Sequence, residues 1–126
     1  STETNHFIQQ YNNLYTETFY DNDYKAAGTT ATWSNANKWL SFTAGQIGES
    51  SSIDFNNSTI TLATLTSTES SGSFDYELTA DGTNWEAVTN GVTHTFTDTG
   101  TDLRWRATEN AAGTGKITQI VLSDYH

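Results

Sequence analysis

The chain has 126 residues, enough for one domain around one core. Five Lys and Arg stand against fifteen Asp and Glu, a formal net charge of -10, which excludes the basic field that nucleic acid or anionic lipid requires. Cysteine is absent, so disulfides and thiolate metal sites are excluded too, and no apolar run approaches the roughly 20 residues of a membrane span.

The opening residues, STETNHFIQQ, lack the basic and apolar regions of a secretory signal. Ser1 is small enough for an initiator methionine to be removed before it, which predicts a soluble protein made in a cytoplasm. Threonine supplies roughly one residue in five, and 13% of the chain is aromatic. Such residues suit pleated, half-buried surfaces, so the composition predicts an all-β body.

Residues 1–24 are read as an N-terminal arm and 25–126 as the body. Phe7, Ile8, Tyr11, Leu14 and Tyr15 recur at helical spacing, with Thr4 or Asn5 as N-cap. Asn, Tyr and Thr are poor helix formers, so the arm needs a surface to lie on. These five apolar residues are the candidate partner-binding set. Asp21-Asn22-Asp23 is oxygen-rich and, with Asp98 and Asp102, is a candidate for a structural calcium, although neither spacing forms a recognised calcium loop.

Trp33 lies among Thr, Ser and Asn near an expected strand end. Trp33 and Trp39 are weighed between rim-of-core packing, which is preferred, and ligand platforms. Strands are expected over Trp39 to Thr43, Ile53 to Phe55 and Ile60 to Thr66. Phe74, Tyr76, Leu78 and Ala80 then alternate with Asp75, Glu77 and Thr79. The Asp81-Gly82 turn follows, and Trp85 is expected to fold back and plug the core.

After Asn90-Gly91, Val92, His94 and Phe96 alternate with threonines. Leu103, Trp105 and Ala107 form an inner face, with Arg104 and Arg106 opposite. The two arginines are expected to pair with Asp75, Glu77 or another carboxylate rather than to bind a ligand. Ile117 to Leu122 is apolar on both faces in its second half, as in a covered strand or one that meets a partner. Many short strands between Gly turns predict a sandwich or barrel. The histidines are dispersed, and no nucleophile elbow, phosphate loop or His-Glu-x-x-His motif is present, so the residues predict no enzyme.

From Thr30 to Tyr125 the order of these pieces resembles the galactose-binding-like, discoidin-type jelly roll. The residues are Tyr76 to Trp85, Leu103-Arg104-Trp105-Arg106-Ala107, Gly113-Thr114-Gly115 and Ile117 to Leu122. The run ADGTNWEAVTNGVTHTFTDTGTDLRWRA, with Thr29-Thr30-Ala31-Thr32-Trp33 before it, is similar to a module of tailed-bacteriophage virion proteins. That resemblance implies an antiparallel jelly-roll β-sandwich. It also implies a non-enzymatic virion structural protein, a capsid decoration or a tail or fibre component, attached through the arm. Other virion proteins would then be the partners, with a homo-oligomer or a surface glycan as further candidates. A carbohydrate-binding module, and an extracellular filament subunit that donates residues 5–20 as a strand, are the alternatives. No sugar-contacting residue carries over, because residues 1–29 match no binding-loop pattern.

Overall fold

The computed structural model describes residues 14–53, 58–110 and 113–126. It is a β-sandwich of two antiparallel sheets. The ten strands are β1 (Leu14–Glu17), β2 (Thr32–Ser34), β3 (Trp39–Thr43), β4 (Ile47–Glu49), β5 (Ile60–Ser71), β6 (Phe74–Thr79), β7 (Glu86–Val88), β8 (Thr93–Gly100), β9 (Arg104–Glu109) and β10 (Thr114–Ser123). The large sheet runs β2-β3-β10-β5-β8, with β1 also on β10; the small sheet runs β4-β9-β6-β7.

Strand β10 organises the large sheet. One of its edges pairs with β5. The other holds two short strands, with β3 against Thr114 to Ile117 and β1 against Ile120 to Ser123. Register shifts at Lys116, Ile117 and Gln119 mark a bulge. The bulge resets the alternation, so Ile117, Ile120 and Leu122 are all buried. Val121 stays on the opposite face, half-buried.

The alternation of β6 and β9 gives the core Tyr76, Leu78, Trp105 and Ala107. Trp105 is fully buried and meets Tyr24 in a stack at 5.7 Å and Phe19 edge-on at 6.1 Å. Glu109 is buried at the end of β9 and accepts the Ser73 backbone N–H. Its carboxylate occupies the space that a Cβ on Gly72 or Gly115 would need.

Several expectations are corrected. Leu14 and Tyr15 lie in a strand, not on a helix, because the free edge of β10 supplies the hydrogen bonds that this short segment lacks alone. Tyr15, Phe19 and Tyr24 belong to the core, so the sandwich takes in the chain from Leu14 onward rather than from residue 25. Val92 is 55% exposed and precedes β8, although Phe96 does turn inward. Ile53 is buried outside any strand, and Phe55 lies outside the described residues.

Candidate functional site

The root of the N-terminal segment is clamped. Phe19 follows β1 with φ of 58°, a left-handed conformation costly for a bulky residue. Three contacts hold it there. Its N–H donates to Glu17 Oε2 at 2.7 Å, and its carbonyl accepts from Trp33 Nε1 at 2.7 Å. Its ring is fully buried against Tyr24 at 5.3 Å. Glu17 is itself buried and also accepts from the Tyr15 hydroxyl. Of the five candidate partner residues, Leu14 is half-buried and Tyr15 is in the core, while Phe7, Ile8 and Tyr11 lie outside the described residues.

The two tryptophans considered as platforms face opposite ways. In the β2–β3 pairing, Trp33 lies opposite the buried Leu40, and Ser34 lies opposite Trp39. Trp33 is half-buried, packed on the core and bonded to Phe19. Trp39 lies on the outer face, with Lys116 Nζ 5.2 Å from its ring centroid. They cannot form one platform.

Trp85 is not a core plug, contrary to expectation. Register explains its place. Tyr76 pairs with Val88 and Leu78 with Glu86, so the inward side of β7 belongs to Val88 and Glu86. Trp85 therefore falls on the outer face, where the Arg106 guanidinium carbon sits 4.1 Å from its ring centroid. Arg106 Nε donates to Glu77 at 2.8 Å, and its Nη1 lies 3.8 Å from Glu49. Arg104 pairs with Asp102 through two bonds of 2.9 and 3.0 Å. That guanidinium holds the Asp102 carboxyl below the usual carboxylate range. Both arginines are thus engaged in pairing.

The turn before Trp85 is locked by Asp81, which accepts the N–H groups of Thr83 and Asn84 and the Asn84 amide at 2.7–2.9 Å. The Asn84 bonds foremost hold its carboxyl well below the usual range. Gly82 supplies the positive φ, 80°.

Sequence reasoning did not find the role of Glu86. From the edge strand β7 it accepts the N–H groups of Thr97 and Asp98 in β8 at 3.0 and 2.9 Å, and it shares a 2.8 Å bond with His94. Burial opposes its ionisation, but these bonds together hold its carboxyl below the usual range.

Beside β7 lies a groove of about 690 Å³, lined by Glu69, Phe74, Asp75, Tyr76, Val88 and Thr89 among others. The Tyr76 hydroxyl donates to the Glu69 carboxylate, and its oxygen lies 2.8 Å from Ser67 Oγ. Burial, then the Glu69 carboxylate, push the Tyr76 phenol well above its usual range. Among the described residues no group of three or more His, Asp or Glu is placed to hold a metal, and Asp102 is bonded to Arg104.

No protein-family model matches the chain, and no curated protein matches it.

Proposed function

We propose that the protein is a non-enzymatic structural component of a tailed-phage virion, a capsid decoration or a tail or fibre subunit, attached through the residues before Leu14. The virion context rests on the resemblance of the Ala80 to Ala107 run and the Thr29 to Trp33 segment. The observation that carries the attachment reading is the clamp at Phe19. An arm transmits holding force only if its root is fixed, and here a strand, a strained backbone residue and two hydrogen bonds fix it.

Several side chains that could serve catalysis are engaged elsewhere: Arg106, Glu77 and Glu86 hold strands together, and Arg104 and Asp102 pair with each other beside β9. Strand donation is less well supported than arm attachment. The edge strands β2 and β7 have three residues each, β4 is bonded by Ala26, Thr30 and Ala31, and Glu86 binds Thr97 and Asp98 in the half of β8 that a bulge bends, where the pairing with β5 skips from Thr95 to Gly100. Such short, covered or bent edges resist strand addition.

The test is to strip the protein from particles and rebind it. Wild type should rebind across a salt series, because an apolar contact tolerates salt that screens the repulsion between acidic copies. Phe7→Ala/Tyr11→Ala should lose binding. Full rebinding by the double variant would refute arm attachment.

A further inference from the structure

We infer that the groove beside β7 is a docking site for an extended basic segment of a partner protein, one that alternates apolar and basic residues. The shape follows from unequal strand lengths. On one side of β6, β9 pairs with every residue from Phe74 to Thr79. On the other side, β7 reaches only Tyr76 to Leu78. No described strand lies beside Phe74 and Asp75 there, and the groove opens at that point. An incoming strand can continue the line of β7 and pair with the uncovered part of β6.

The faces of the groove set the chemistry. Phe74 packs edge-on against Phe42 at 4.9 Å and stacks with Tyr76 at 6.1 Å, so the inner side is an aromatic floor beside Val88. The outer side carries Asp75 and Glu77, and Glu69 stands at the Tyr76 hydroxyl. No lysine or arginine lines the groove among the described residues. A strand presents its side chains alternately to the two faces. A docked strand would therefore set apolar side chains on Phe74 and basic ones beside Asp75, since Glu77 is already paired with Arg106. Charge complementarity selects a cationic partner over an acidic one and speeds its encounter. The chain's own net charge of -10 makes a second copy a poor occupant. This docking does not depend on the virion reading or on the N-terminal arm.

The experiment uses the full chain and a labelled Lys-Val-Lys-Val-Lys-Val peptide, with a Glu-Val analogue, a copy N-methylated at alternate residues, and spermine. Binding is followed by fluorescence anisotropy and by backbone amide shifts. The basic peptide is expected to bind and to shift Ser73 to Tyr76 and Ala87 to Asn90. Glu69→Gln and Asp75→Asn should each weaken it about 1.5-fold to fivefold, the range of an exposed ion pair. N-methylation of the pairing edge should weaken it about tenfold, because the backbone bonds to the uncovered Phe74 and Asp75 stretch are lost with no change in charge. The proposal is overturned if the acidic or N-methylated peptide binds as well as the basic one. It is overturned equally if spermine gives the same shifts at the same affinity, or if the shifts fall elsewhere.

Discussion

The Arg106 guanidinium carbon lies over the Trp85 ring, 4.1 Å from its centroid, on the outer face of the small sheet. The chain thus contains two tryptophans with opposite duties, Trp85 outside and Trp105 inside. Trp105→Ala should cost about 3–5 kcal/mol, as large aromatic truncations in a core do. Trp85→Ala should cost about 0.5–2 kcal/mol, the worth of a cation–π contact between half-buried partners. Urea denaturation of both variants measures the difference. Equal losses would show that Trp85 also supports the core.

Deletions should divide the N-terminal segment at Leu14. Removing residues 1–13 leaves β1 and the described core residues in place, so cooperative unfolding should persist. Removing residues 1–24 takes away Tyr15, Phe19 and Tyr24, two of which pack on Trp105. That product should be molten or insoluble. Near-UV circular dichroism reports the loss, and a native spectrum from the longer deletion would contradict the core placement.

Glu86→Ala should destabilise by about 1 kcal/mol, since its two backbone donors can turn to water in part. The larger effect should be on association, because the bent half of β8 loses its ligand and becomes an open edge. Light scattering at high protein concentration should detect new oligomers. Their absence would mean that the β8 bulge holds without Glu86.

Stability should fall in acid. Glu86, Asp81 and Asp102 have folded-state pKa values below their ordinary values of 4.5, 3.8 and 3.8. Their contribution is complete above those ordinary values and is lost as pH falls through the depressed ones. Melting temperature should therefore decline from about pH 4.5 downward, and Glu86→Gln should flatten part of that decline. A melting temperature independent of pH in this range would refute the linkage.

The tyrosines give the opposite sign at the alkaline end. Tyr15, Tyr24 and Tyr76 are pushed above their ordinary value of 10.0, chiefly by burial. The unfolded state therefore ionises first, and stability falls as pH rises past 10.0. Absorbance titration should show these three of the six tyrosines ionising only as the fold is lost. Free titration of all six in the native state would contradict their burial.

Strands with long alternation were legible in the sequence. β3, β6, β9 and most of β10 follow their inward residues, and the Arg106–Glu77 pair follows from both lying on outer faces. β2, β4 and β7 have three residues each, too few to display a period. β1 looked helical because Leu14 and Tyr15 extend the spacing begun at Phe7, while its strand partner lies more than a hundred residues away in sequence. Trp85 was misplaced because register, set by the Tyr76–Val88 pair, decides which side it takes. The groove left no signature, since it arises from the shortness of β7 relative to β6.

Glu109 and the two glycines around it bear on how this sequence can drift. An alanine at Gly115 or Gly72 would set its methyl group into the Glu109 carboxylate, and Gly72 has in addition a φ of 92°. Neither glycine can be exchanged while the glutamate stays. Loss of the glutamate alone would strip the Ser73 N–H of its acceptor and leave a void walled by Phe74. The three positions are therefore bound to one another in descent, although Gly72 lies more than thirty residues before the other two. Lineages diverging from this sequence should keep Gly72, whose φ and close backbone neighbour exclude a side chain in any case, and should exchange Gly115 only together with Glu109, which gives a signature for recognising distant kin whose surfaces have lost all likeness.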